Sequence, residues 1–157
     1  SVPDTKVDLK NLIDGVVTSA VQTAESRGIK FDVQIKEEAR QAIADADQIM
    51  QVMLNLTVNA AKYADRDTVV HIHVNMASDD RFVKITVSDE GPGIGQEHLA
   101  RLTERFYRVD DARSRKMGGT GLGLAIVKHI LLRHESQLKI KSKIGMGTTF
   151  SFRLTKA

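Results

Sequence analysis

Glycines and amides carry most of the chemistry legible in these 157 residues. Nine of the eleven glycines lie in three clusters: Gly91, Gly93 and Gly95; Gly118, Gly119, Gly121 and Gly123; Gly145 and Gly147. Clustering of this kind lets the main chain come close to a ligand, or adopt positive φ, where a Cβ would clash. The run Gly118-Gly-Thr-Gly-Leu-Gly123 leads directly into a helical pattern. Orphan N–H groups and the dipole at a helix start attract anions, so phosphates belong at this point; a tight helix entry without a ligand is the alternative. Neither better-known phosphate loop fits, because G-x-x-x-x-G-K-S/T is absent and a Rossmann fingerprint needs a parallel sheet. Asp89-Glu-Gly-Pro-Gly-Ile-Gly95 follows a strand pattern. A carboxylate at a strand end can accept from an exocyclic amine while the backbone closes round a flat base. It can equally initiate a turn, with Pro92 fixing φ. The spacing does not suit an EF-hand calcium loop.

A second pattern lies on the helix expected over residues 45–64, where Asp45 and Gln48 form an N-cap signature. Gln48, Gln51, Asn55, Asn59 and Lys62 recur at spacings of three and four and share one stripe, while Ile49, Val52, Met53, Leu56, Ala60 and Tyr63 form the apolar side. Asparagine is a poor helix former, so two of them one turn apart call for a reason. Their amide oxygens can ligate a hard cation such as Mg²⁺, which shares substrate phosphates, and Lys62 can reach a phosphate oxygen. A solvated helix face is the other reading. His71 and His73 share a strand face with no third ligand evident nearby, and read as a wet surface rather than a metal site. His129 and His134 do not share a helix face and form no site either.

The elements that must hold these groups alternate in type. An amphipathic helix is expected over 7–27, ended by Gly28, and Ile29–Ile35 alternates as a strand. A short apolar stretch, Ala42–Ala44, precedes the amide-bearing helix. Val69–Met76 and Phe82–Ser88 read as a hairpin with a longer loop, and a short helix starts near Gln96. A helix over Gly121–Arg133 and strands over Gln137–Ser142 and Thr148–Leu154 complete the chain, with no repeat or low-complexity segment. This mixture predicts an α+β fold in one domain spanning 1–157. Its form is a two-layer α/β sandwich, with a mixed, mostly antiparallel sheet and helices packed on one face.

Composition narrows the function classes. A hydrophobic fraction of 41% suffices for one core. No apolar run approaches the ~18 residues of a bilayer-crossing helix, and the polar start does not read as a secretory leader. With no cysteine, disulfides, thiolate metal sites and cysteine nucleophiles are excluded. No tryptophan and seven other aromatics are too few for a platform stacking single-stranded nucleic acid. The net charge of +3 is matched by the segment Arg101–Met117 alone, whose six basic residues face three acidic ones. Such a local strip favours a phosphate ligand or an acidic partner over a long polyanion, and no nucleic-acid partner is expected.

Taken together, these segments resemble the catalytic ATP-binding domain of bacterial sensor histidine kinases, within the wider family of gyrase, mismatch-repair and heat-shock chaperone ATPases. The resemblance runs from about Val7 to Leu154, with the boxes in order. Asn55-Leu-Thr-Val-Asn-Ala-Ala-Lys-Tyr63 is similar to the asparagine box, and Asp89-Glu-Gly-Pro-Gly-Ile94 to the first glycine box. Arg105-Phe-Tyr-Arg-Val-Asp110 is similar to the phenylalanine box, Gly119-Thr-Gly-Leu-Gly-Leu124 to the second glycine box, and Gly145-Met-Gly-Thr-Thr-Phe150 to the last. The resemblance implies ATP and Mg²⁺ as ligands. Asn59 would hold the metal, with Asn55 as second ligand or holding a bound water; Lys62 would touch phosphate and Tyr63 pack against adenine. Asp89 would accept from the adenine amine, supported by Thr149, with Gly91, Gly93 and Ile94 lining the base. Residues 96–118 would form a mobile ATP lid, with Phe106 at its hinge, Tyr107 against the nucleotide, and Arg108, Arg115 or Lys116 steadying the terminal phosphates. Gly119, Thr120, Gly121, Leu122 and Gly123 would cradle the phosphate chain.

Hydrolytic members of that family place a glutamate one helical turn before the metal-binding asparagine; here that position is Asn55, which cannot act as a general base. The resemblance therefore implies transfer of the γ-phosphoryl to a protein histidine. A hydrolase of the same fold and a non-enzymatic, nucleotide-gated interaction module are the competing readings. No segment resembles the phosphoacceptor box, so the acceptor is expected on a separate dimerisation and histidine-phosphotransfer domain of the same parent protein. The chain by itself, soluble and monomeric, is not expected to phosphorylate itself. Leu102–Arg115 and Arg133–Leu138 are most similar to phosphate-regulon sensor kinases. That implies a cognate response regulator as partner, and a position on the cytoplasmic face below a membrane-anchored parent.

Overall fold

The computed structural model describes residues 2–95 and 123–157. The helix expected near Gln96 and the segment expected as a lid, with Phe106, Tyr107, Arg108, Arg115, Lys116, Gly119, Thr120, Gly121 and Leu122, lie outside the described residues.

Alternating apolar side chains build the sheet. Strand β4 (Val69–Met76) turns Val70, Ile72 and Val74 inward, and β5 (Phe82–Asp89) does the same with Val83, Ile85 and Val87. The C-terminal β7 (Thr148–Lys156) buries Phe150, Phe152 and Leu154 on that face. Around them lie β1 (Lys6–Asp8), β2 (Lys30–Ile35), β3 (Gln41–Ile43) and β6 (Lys139–Ser142). The strand order is β1-β3-β7-β5-β4-β2, with β6 paired on β7. Only β2 with β4 runs parallel among the described pairs, so the sheet is mixed and mostly antiparallel as expected.

Among the described residues, helices α1 (Leu9–Glu25), α2 (Ala46–Tyr63) and α3 (Gly123–Arg133) cover the inward face. Each buries one stripe, such as Leu12, Ile13 and Val16 on α1 and Ile49, Val52, Met53 and Leu56 on α2. Helix α1 starts two residues later than its periodicity predicts. Val7 is taken into β1, paired with Ala42, and Asp8 caps the helix by accepting from Asn11 N at 3.1 Å. The apolar stretch before α2 is likewise strand, β3. The Arg40 guanidinium, donating to both Asp8 oxygens at 2.9 to 3.2 Å, holds that carboxyl below the ordinary carboxylate range. Asp45 caps α2 through Gln48 N at 3.1 Å, the cap read from the sequence. His134, buried at the end of α3, ties the two helices: Nε2 accepts from Asp45 N at 3.0 Å and Nδ1 donates to Ile130 O at 2.9 Å.

Candidate functional site

The end of α2, the loop after β5 and the β6–β7 turn meet at one end of the sheet. Main-chain bonds fasten the end of α2 to the loop after β5, with Asp65 N donating to Glu90 O at 3.2 Å. The same loop meets the β6–β7 turn, where Gly145 N donates to Pro92 O at 2.7 Å. Two glycines there are sterically obligatory. At Gly93 (φ +75°) a Cβ would stand 2.0 Å from Lys143 O, and at Gly147 (φ +83°) 2.1 Å from Asp89 O. Gly91 is wedged in the same way, a Cβ there lying 2.9 Å from both Asp89 Oδ1 and Tyr63 O.

Asp89 ends β5 in register with Val87, so its side chain falls on the helix-covered side. Its Oδ1 accepts from Gly91 N at 3.0 Å, an Asx-type turn that aims the carboxylate. On α2, Asn55, Asn59, Lys62 and Tyr63 are all half-buried, between core and solvent. Asn59 faces the start of α3: a Cβ on Gly123 would come within 3.9 Å of its Nδ2. Gln48, at the head of the stripe, is diverted from the site; its Oε1 accepts from the Arg133 guanidinium beside Asp45.

Thr149 requires correction. It was expected beside Asp89, but the pleat turns it to the opposite face, where its hydroxyl bonds Ser88 Oγ at 2.8 Å. Thr148 is the register partner of Asp89 and shares its face. The alternation of Phe150, Phe152 and Leu154 carried that signal, since Thr148 continues it.

Two further positioning residues escaped the sequence reading. Ser142 stitches both loops: its hydroxyl receives Ile94 N at 2.8 Å, donates to Gly147 O at 2.8 Å and bonds Thr148 Oγ1 at 2.8 Å. Arg27, in the turn after α1, donates to Ala61 O at 2.9 Å and Ala64 O at 2.6 Å. It thereby satisfies the terminal carbonyls of α2 with a charge of the sign the helix dipole favours. Neither contact follows from periodicity.

One end of the sheet thus brings together a half-buried amide facing a glycine-led helix start, a carboxylate at a strand end and closely packed glycine turns. Residues 44–157 match the family described as "Histidine kinase-, DNA gyrase B-, and HSP90-like ATPase", and the chain belongs to that family. It is an ATP-binding catalytic domain of the sensor histidine kinase type. The phosphate regulon sensor protein PhoR of Pseudomonas aeruginosa is 36% identical over 148 residues, covering 92% of this chain and 33% of that protein. PhoR of Haemophilus influenzae is 44% identical over 109 residues, covering 69% of this chain and 25% of its own length. The chain thus spans a third or less of these curated relatives. Among solved structures, the mycobacterial sensor histidine kinase MprB aligns with a TM-score of 0.82 at 27% identity, covering 97% of both chains. Full-length ShkA in complex with AMPPNP aligns with a TM-score of 0.85 at 26% identity, covering 100% of this chain and 32% of that one.

Proposed function

We propose that this domain takes ATP together with Mg²⁺ and, within a longer sensor kinase, passes the γ-phosphoryl to a histidine on a separate dimerisation domain. The residues present fit such a ligand. Asn59 brings its side-chain amide to the start of α3, and Gly91 packs against Asp89 and the end of α2. Amide and phosphate oxygens are the donor set Mg²⁺ prefers. Asp89 accepts from the adenine amine, Tyr63 flanks the ring, and Gly91, Gly93 and Ile94 line the base. Asn59, with Asn55, holds the metal, and Lys62 binds a phosphate oxygen. The metal, when bound, neutralises phosphate charge. The parts of Arg108, Arg115 and Lys116 at the terminal phosphates, and of Gly119 to Leu122 along the chain, rest on sequence. ShkA's complex with AMPPNP, an aligned structure, supports a nucleotide in the pocket.

The observation that carries transfer over hydrolysis is Asn55, one turn before Asn59 on α2. An amide has no basic site to take a proton from water, so this helix supplies no base for hydrolysis. The acceptor imidazole nitrogen forms its bond to phosphorus as the bond to the β–γ bridging oxygen breaks, and ADP leaves. Positioning and charge neutralisation are the main demands of that step. Among the described residues no helix is long and apolar enough to cross a membrane. Anchoring therefore belongs to other parts of the parent, and a response regulator with an acceptor aspartate is the downstream partner.

Calorimetry with Mg-ADP on this chain and on Asn59→Ala tests the pocket; micromolar-scale binding should largely vanish in the variant. A second fragment carrying the acceptor histidine, with γ-labelled ATP, tests the chemistry: acid-labile label should appear on that fragment only. Steady phosphate release without an acceptor would overturn the transferase reading.

A further inference from the structure

The face of the sheet turned away from the helices carries a second constellation, which the sequence reading set aside for want of a third ligand. The parallel register of β2 on β4 supplies one. It sets Asp32 beside His71 and Gln34 beside His73. Asp32 Oδ2 lies 2.7 Å from His71 Nδ1 and 2.9 Å from His73 Nε2. The three donor atoms all fall within 4.8 Å of one another. The rings meet edge to face, with centroids 5.6 Å apart and an interplanar angle of 73°, so their nitrogens converge instead of stacking. Gln34 Nε2 donates to both Asp32 oxygens, to Oδ1 at 3.1 Å and to Oδ2, which the imidazoles share, at 3.3 Å, and so steadies the carboxylate.

We propose that Asp32, His71 and His73 form a binding site for one divalent transition-metal ion of the zinc class. Two imidazole nitrogens and one carboxylate oxygen are a set Zn²⁺ accepts, with water in the fourth position of an open site. The three side chains are each about one-third exposed (Asp32 32%, His71 38%, His73 33%), which leaves that position to solvent. Metal–ligand bonds of about 2.0–2.2 Å imply donor atoms roughly 3.4 Å apart in a tetrahedron. The oxygen-to-nitrogen distances of 2.7 and 2.9 Å must therefore open by about 0.7 and about 0.5 Å, a small rotation for partly exposed side chains.

In the metal-free arrangement both imidazoles bond Asp32 Oδ2, His71 through Nδ1 and His73 through Nε2. With those two nitrogens ligating, each ring carries its proton on the other nitrogen: His73 on Nδ1, and His71 on Nε2, which faces Glu90 Oε2 at 3.7 Å. Glu90 is itself held by Val69 N at 3.2 Å. A carboxylate behind a ligating imidazole is the arrangement that fixes tautomer and raises ligand basicity. Ligand type separates this ion from magnesium on the amide helix: imidazole suits Zn²⁺, Co²⁺ or Ni²⁺, whereas Mg²⁺ takes oxygen.

The test uses the metal-stripped, untagged chain without nucleotide. Zn²⁺ is titrated against a chromophoric chelator, and Co²⁺ is followed by its visible absorption. One equivalent should bind at about micromolar concentration or tighter, with Co²⁺ giving the intense bands of a four-coordinate site. His71→Ala/His73→Ala and, separately, the near-isosteric Asp32→Asn should each weaken binding by about tenfold or more. Circular dichroism and Mg-ADP affinity should stay at the parent values in both, which separates this outcome from a misfolded variant or a failed nucleotide pocket. Binding of equal strength in parent and variants would place the ion elsewhere and overturn the proposal. So would the absence of saturable binding up to about millimolar Zn²⁺.

Discussion

Replacing Gly147 with alanine should damage both fold and pocket, by an amount that its neighbour Gly145 calibrates. Both glycines have positive φ, +83° and +82°, so an L side chain at either costs about 1–2 kcal/mol of backbone strain. There the similarity ends. A Cβ at Gly145 meets nothing within 4 Å, whereas one at Gly147 stands 2.1 Å from Asp89 O, short of the ordinary 3.4 Å by 1.3 Å. The obstructing atom is main chain, of the residue expected to read adenine, and the flanking Asp89 carbon and Glu90 Cα are also close, at 3.1 and 3.3 Å. Overpacking of this kind adds about 1–3 kcal/mol. Gly147→Ala should therefore lose about 2–5 kcal/mol in urea unfolding and Gly145→Ala about 1–2 kcal/mol. For a chain of this size that corresponds to about 2–4 °C of Tm per kcal/mol. Because Asp89 must retreat, Gly147→Ala should also bind Mg-ADP at least tenfold more weakly, while Gly145→Ala stays within about twofold of the parent (tenfold is about 1.4 kcal/mol). Equal losses in the two variants, in stability or affinity, would refute the argument from steric contact.

Other predictions rest on single observations. Glu135 takes a positive φ of 56° just past α3, so Glu135→Gly should raise stability by about 0.5–1 kcal/mol in chemical denaturation, relief of strain outweighing the entropy of glycine. The Thr57 hydroxyl is fully buried and has no hydrogen-bond partner among the described residues; Thr57→Val should gain about 1 kcal/mol, read as a higher urea midpoint. Arg81 holds the Asp79 carboxyl down to about 2 from an ordinary 3.8, so the unfolded chain takes up this proton first. That contribution is complete above pH 3.8 and is lost as pH falls toward 2. Urea midpoints measured against pH should show a shallower acid limb in Arg81→Ala than in the parent.

Local signals were legible and register was not. The Asp45 cap, the alternation of β4 and β5 and the glycine turns at Gly91–Gly93 and Gly145–Gly147 are all short-range patterns, and each appears where the sequence puts it. The third member of the Asp32–His71–His73 cluster lies 39 and 41 positions away from the histidines, across a parallel pairing that no periodicity announces. Thr148 and Thr149 show how a single step matters: adjacent residues of the same type face opposite sides of the sheet, and only the phase of the following Phe150, Phe152 and Leu154 tells them apart. Arg27 was invisible for a different reason. A surface-type side chain that reaches back to the carbonyls of a helix 34 and 37 positions later has no local pattern at all.

The single hydroxyl of Ser142 has a consequence for anyone transplanting parts between such domains. It joins Ile94, 48 positions before it, to Gly147 and Thr148, so the two turns behave as one machined part. Swapped alone, either turn would arrive with an amide or a carbonyl whose counterpart had stayed behind. Exchanged as a set with that serine, they should arrive already fitted.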